Sequence, residues 1–538
     1  MAKQITISHP IIGNVTASTA KEGVVQLLGL QYATLKDRFS QPVMREYSLN
    51  ETIDGTKLGP QVLSIAPNAD PEFGLIQHTL EYDRSTFSQS DTEGLCLNIT
   101  IPVSSDGGID ENAGLPVFAF IHGGGFMVGS GNYPQYDMTK FVRLSKESGM
   151  PCIAVSMNYR LGAPGFLTSS AMQAVGYKAN NGLRDQRTAL LWLHKHLAGF
   201  GGDAFNITLA GESAGGVSVC YHLFSKQPLF KRMISMSGTM LLMAPISVKE
   251  ADENFQHTLR ALGLQENSAT KHLLQMDGQE LVGKMVKAGT RNAPTIDDDI
   301  CPAQFNFESI ANERTNIPGQ KWCEAAMIGD CQFDGNIQSL RLMHRKKGIA
   351  SAFCSTIKMS LESHPGLADR LLSAYGLTPE LNDVDGLFKV LQVANDMNFY
   401  VPSIIVSQNL SRQMKMYTYR FNEPNPWDGP WKGHATHVLD IAFLYQNFNE
   451  YLDEKQKSVA EQFGKDVIAF VNGQDPWDAS SDMNAVAKVL GPEGKMEVVQ
   501  DEPDRVGRRS VLLELDEDVG FDVLNDAFNE FMRGPPPV

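Results

Sequence analysis

Two spacings of apolar residues alternate along the first half of the chain. VFAFI (117–121), CIAVSMNY (152–159) and NITLA (206–210) are short, β-prone apolar runs and predict buried strands. Between the last two, RTALLWLHKHLAGF (187–200) sets Leu190, Leu193 and Leu197 at helical spacing. VSVCYHLFSK, from Val217, predicts the start of another helix. Strand, helix, strand, turn, helix is the order of a largely parallel sheet covered on both faces, an α/β architecture. Residues 240–324 then turn helical and loop-like, AAMIGD (325–330) returns to strand, and 350–412 is helical again. MKMYTYRF (414–421) predicts a late strand, and DVIAFVNG (466–473) a helix ending at Gly473. No Pro-, Gly- or Ser-rich linker divides residues 1–538. The pattern therefore predicts a single domain, with helical insertions at about 240–324 and 350–412 that roof a pocket. The terminal GPPPV predicts a frayed tail.

Composition narrows the classes. At 42% hydrophobic and 20% charged, the 538-residue chain is ordinary for a globular protein. The formal net charge of −16 disfavours nucleic acid and anionic membrane surfaces as partners, because both are bound through basic patches. MAKQITISHPIIGNVTAS lacks the apolar core of a secretion signal, and no run approaches the roughly 18 apolar residues of a membrane span. Seven scattered cysteines without a C-x-x-C pair predict reduced thiols, neither a disulfide frame nor a zinc site, and a cytoplasmic location.

Chemistry enters at GESAGG (211–216), between the strand NITLA and the helix from Val217. A strand that turns straight into a helix does so through strained backbone, and side chains flanking the apex would collide. Gly211 and Gly215 remove that collision and leave the Ser213 hydroxyl at a helix N-terminus. This is the G-x-S-x-G nucleophile elbow of the α/β-hydrolase fold; the alternative is a glycine-rich turn whose serine caps the helix. IHGGGF (121–126) directly follows the strand VFAFI. Backbone N–H groups of Gly124 and Gly125, with that of Ala214, would form an oxyanion hole. A serine hydroxyl also needs a base and an acid that orients the base, in chain order serine, acid, histidine.

These stretches, with SMNYRLGAPGFL (156–167), NNGLRDQRTALLWL (180–193), FGGDAFNITLAGESAGG (200–216) and ISMSG (234–238), resemble the type-B carboxylesterase family, which includes cholinesterases and large fungal lipases. The similarity is strong from about residue 90 to 240 and recoverable to VNGQDPW near 477. It implies an α/β-hydrolase fold and a serine esterase without metal or organic cofactor, acting on small-molecule carboxylic esters. The family's acid follows a core strand. GDCQFDG (329–335) takes that place, with Asp334 preferred over Asp330 because it precedes Gly335. The family's histidine has an acidic residue three positions later. In GHATHVLDIAFLY (433–445), His437 has Asp440 at that spacing, whereas His434 does not. The resemblance also implies a supporting polar cluster of Glu212, Ser237 and Asp440, in which burial raises a carboxyl pKa.

The departures bear on substrate. Gly94 stands where secreted relatives close a disulfide, so the loop of about 66–92 is expected to be mobile. Residues 60–100 hold no tryptophan, which disfavours choline esters, and no strongly apolar flap, which ranks an interfacial lipase below a soluble esterase. An acyltransferase with the same triad is the alternative enzyme; a non-catalytic adhesion protein is the alternative outside catalysis. The acidic run TIDDDI is read as a solvated loop, not a metal site.

Overall fold

The computed structural model of the chain describes residues 3–20, 23–104, 107–364, 366–481, 484–501 and 507–534, so the expected frayed tail at 535–538 lies outside the described residues. Twelve strands of one sheet follow in chain order. They are β1 (Lys3–His9), β2 (Gly13–Ala20), β3 (Val24–Gln31), β4 (Cys96–Pro102), β5 (Leu115–Ile121), β6 (Ile153–Met157), β7 (Gly202–Glu212), β8 (Arg232–Met236), β9 (Ala325–Cys331), β10 (Lys415–Phe421), β11 (Val486–Leu490) and β12 (Met496–Gln500). Their spatial order is β1-β2-β3-β4-β6-β5-β7-β8-β9-β10-β11-β12, and Thr52–Asp54 pairs off this path with β2. From β6 to β11 every neighbouring pair is parallel. The antiparallel ladders lie at the two edges.

The central strands read as unbroken apolar runs because both faces are covered. Along β5, Val117, Ala119 and Ile121 enter one core, whereas Phe118 and Phe120 enter the other, as the two-residue period of a strand requires. The helices used below are α1 (Asp70–Ile76), α2 (Asn181–His196), α3 (Ala214–His222), α4 (Asp383–Asn395), α5 (Val401–Ser411), α6 (Arg508–Val519) and α7 (Phe521–Arg533). Helix α2 buries Leu183, Ala189, Leu190, Trp192 and Leu193 against the sheet. Residues 240–324 carry helices separated by loops, and 350–412 is largely helical. All seven cysteines are buried and unpaired. No helix among the described residues is long and apolar enough to cross a membrane.

Two loops differ from expectation. The 66–92 loop, expected to be mobile, is docked onto the segment that leads to His437. Asn425 donates its side-chain amide to the Ile76 carbonyl at 2.9 Å, and the Trp431 N–H donates to Gln77 Oε1 at 2.9 Å. His78 stacks on Trp427 with ring centres 5.1 Å apart. Amide hydrogen bonds and a stacked ring pair hold this loop against that segment. TIDDDI is not simply solvated either. Asp297 pairs with Arg184 at 2.8 Å, and Asp299 pairs with Arg187 at 2.6 Å, fastening the loop to α2.

Candidate active site

Ser213 stands between β7 and α3 with φ 55° and ψ −122°, a backbone conformation rare for any residue but glycine. Its N–H donates to the Met236 carbonyl at 2.8 Å, which fixes the turn to β8. A Cβ on Gly211 would strike the Gly215 carbonyl, and one on Gly215 would strike the Ile121 carbonyl at the end of β5. The two glycines thus let the elbow close against itself and against the strand that launches the glycine loop. Glu212 and Ala214 are each 1% exposed, whereas Ser213 between them is partly exposed. The helix begins at Ala214, three residues before the sequence pattern placed it. As the first residue of the helix, its N–H has no partner within it.

The glycine loop lies directly over this turn. A Cβ on Gly123 would meet Glu212 Oε2 and would come within 3.0 Å of Ser213 Cβ. Gly124 turns through φ 96°, and its carbonyl accepts the Met127 and Val128 N–H groups at 3.0 and 3.1 Å. Gly125 is exposed, with open space where a side chain would stand.

Asp334 and His437 come together although 103 residues separate them. Nδ1 of His437 is 2.7 Å from Asp334 Oδ1, with the side chains 2% and 0% exposed. The second carboxylate oxygen, Oδ2, accepts the Cys331 N–H at 2.7 Å. The Phe333 N–H donates to the Ala435 carbonyl at 2.8 Å, tying the acid loop to the histidine loop. Asn336 Oδ1 accepts the His437 N–H at 2.9 Å, a support the sequence reading missed. The rivals lie elsewhere. Asp330 pairs with Arg420, and His434 rests among the rings of Phe333 and Phe388.

Of the implied polar cluster, the carboxyls are neighbours and the hydroxyl is not bonded to them. Burial, reinforced by Asp440, Glu72 and Asp334, holds Glu212 well above the usual carboxyl range. Burial beside Asp334 pushes Asp440 up to about 6, against the Tyr419 hydroxyl that donates to Asp440 Oδ2 at 2.6 Å. Ser237 instead faces the Cys331 thiol at 3.9 Å. Nε2 of His437 lies 3.2 Å from Glu212 Oε1. Burial thus disfavours the charged form of Glu212, and with it an ion pair to the imidazole. Glu72, on α1, adds a third carboxyl; it accepts the Tyr136 hydroxyl, and burial raises its pKa. Nothing in its local sequence marks it, because its partners arrive from a segment about 60 residues away.

The site thus joins a buried Asp334–His437 pair to the elbow through Glu212, the residue before Ser213, and comparison with known proteins gives the family. The model of the carboxylesterase family matches residues 3–496. Lipase 3 of Yarrowia lipolytica is 26% identical over 483 residues, covering 88% of this chain and 89% of that protein. Para-nitrobenzyl esterase of Bacillus subtilis is 25% identical, with 82% and 84% covered. A solved thermophilic PNB esterase superposes with a TM-score of 0.73 over 95% of this chain and 100% of its own, at 22% identity, which shows the shared fold. By the family match, and with the α/β-hydrolase sheet beneath the site, this chain belongs to the carboxylesterase family and is a carboxylic ester hydrolase.

Proposed function

We propose that Ser213 is the nucleophile, His437 the base and Asp334 the orienting acid of a serine carboxylesterase for soluble esters of small to medium size. The observation that carries this reading is the buried 2.7 Å Asp334–His437 contact, with the other ring nitrogen of His437 3.2 Å from Glu212, the residue before a positive-φ serine at a strand–helix elbow. His437 Nε2 takes the Ser213 proton as the hydroxyl attacks the ester carbonyl. The N–H groups of Gly124, Gly125 and Ala214 bind the oxyanion. The protonated imidazole, held by Asp334, passes its proton to the departing alcohol. Water activated by the same histidine then cleaves the acyl-enzyme. Glu212 and Asp440 support the site without reacting.

The relatives named lipase and esterase leave the chain length of the ester open. The docked 66–92 loop supports a preference for soluble substrates, because interfacial activation needs a lid that lifts. The test is the initial rate over p-nitrophenyl esters from acetate to palmitate, with Ser213→Ala beside it. Cleavage peaking at short or medium chains, with the variant slower by at least about a thousandfold, is expected. A jump in rate above the micellar limit of a long-chain ester would replace this reading with a lipase. Wild-type inactivity on every ester would move the search to a narrow acyltransferase.

A further inference from the structure

The acid loop is braced from a part of the chain that the family match, ending at residue 496, does not reach. Helix α6 lies beyond that limit and sends two guanidinium groups to one carboxylate. Nε of Arg508 donates to Asp396 Oδ2 at 2.7 Å, and Nε of Arg509 donates to Asp396 Oδ1 at 3.0 Å. Asp396 is 0% exposed and opens the π-helical turn Asp396–Tyr400 that joins α4 to α5. The same carboxylate accepts the Asn395 side-chain N–H at 3.0 Å. Asn395 then turns its Oδ1 to the Gly335 N–H at 3.1 Å. Gly335 is the residue after Asp334. From the same turn, Phe399 sets its ring 5.2 Å from the ring of His437.

One buried carboxylate thus fixes the backbone of the acid loop through Asn395 and the flank of the base through Phe399. A fully buried carboxylate is costly unless it is paired, and π-helical turns often occur at functional sites. Two arginines set their charge against this one. Their side chains are 28% and 23% exposed, so they reach the carboxylate from the surface rather than filling the core. The Arg509 guanidinium also lies 3.7 Å over the Tyr400 ring that ends the turn.

We propose that Arg508 and Arg509 are positioning residues for the esterase reaction, holding Asp334 in register with His437 by clamping Asp396. The inference rests on the triad reading of Asp334 and His437. Without the clamp, the turn relaxes, Asn395 releases Gly335, and the Asp334–His437 pair loses alignment while the substrate-facing surface stays in place. The deficit therefore belongs in kcat, not KM.

The experiment compares the Arg508→Ala/Arg509→Ala double variant with Asp396→Asn, the Arg508→Lys/Arg509→Lys pair and Arg370→Ala. Arg370 joins Asp518 of α6 at 2.6 Å on the surface, so its loss loosens the same helix without touching Asp396. Folding is checked by near-ultraviolet circular dichroism, and active serines are titrated with a phosphonate ester. Then kcat and KM are measured on p-nitrophenyl butyrate across the acid limb of the pH profile. The alanine pair is expected to lose about tenfold in kcat with KM nearly unchanged. Its acid limb moves to lower pH, because a loosened carboxylate stabilises the imidazolium less. The lysine pair regains most of the rate, and Arg370→Ala matches the wild type. A folded alanine pair with wild-type kcat overturns the proposal, as does a loss uniform in pH or shared by Arg370→Ala. If the alanine pair does not fold, Asp396→Asn, which preserves shape, is read in the same way: the same loss and shift support the clamp, and wild-type values overturn it. Asp334→Asn, run alongside, separates the two readings. If it is crippled while the clamp variants are normal, only the clamp fails; if it is fully active, the triad reading fails with it.

Discussion

Asp330 and Asp334 show how four residues of separation divide two kinds of carboxylate. Asp330 lies in β9 and Asp334 just beyond it; both are buried, and only Asp334 meets an imidazole. Asp330 answers the Arg420 guanidinium, which also binds Asp501 at 2.8 Å and the Ser403 hydroxyl at 2.9 Å. Its charge serves the fold. Asp334→Asn is therefore expected to cut kcat about a thousandfold or more while leaving the melting temperature near the wild type, because the amide keeps the shape but stabilises no imidazolium. Asp330→Asn should do the reverse. It leaves a buried guanidinium underpaired and costs about 3 kcal/mol of stability, with kcat near the wild-type value. Thermal melts paired with steady-state rates check both, and equal rate losses in the two variants would erase the distinction.

At the scale of elements, the long helix Glu454–Val471 carries a buried group that the chemistry does not use. Asp466 faces inward, and burial pushes its pKa up to about 6 against the Gln462 side chain and Lys488. The folded chain therefore holds this proton to a higher pH than the unfolded chain, whose Asp releases it near its ordinary value of 3.8. Its stabilising contribution is complete below that value and is lost as pH rises through about 6. Asp466→Asn, which can keep the Gln462 bond, should be more stable than the wild type by about 2 kcal/mol on the alkaline side and equal to it in acid. Denaturant melts at the two extremes measure this, and a pH-independent difference would refute it. The elements most legible in the sequence were those under the strictest local constraint. The elbow announces itself because Gly211 and Gly215 have no room for a side chain, and the central strands because both faces are covered. Asn336, Asn395 and Glu72 gave no such sign, since each acts on a partner from a distant segment. The edge strand β1 and the helix α6 give no such sign either. KQITISH is largely exposed, and RRSVLLELDEDV buries only Leu512 and Leu515, so neither carries a clean apolar period. The acid and histidine needed the family's order of residues, because spacing alone left two candidates for each.

At the scale of the whole molecule, the charge of −16 acts on every approaching substrate. Most of that charge sits on exposed carboxylates, whereas the carboxyls behind the serine, Glu212 and Asp440, are buried and shifted toward the neutral form. A cationic ester is drawn in by the long-range field and an anionic one is repelled, and both effects are screened within about 10 Å at moderate salt. Raising ionic strength should lower kcat/KM for an ester bearing a quaternary ammonium and raise it for its carboxylate-bearing counterpart, each by about two- to fivefold, with a neutral ester of the same size unmoved. The opposite slopes matter more than either magnitude, because a general salt effect on the enzyme would move all three esters in one direction. Parallel slopes would mean that the field of the whole chain does not reach the mouth of the site, and that local groups such as Glu72 alone set the preference for charge.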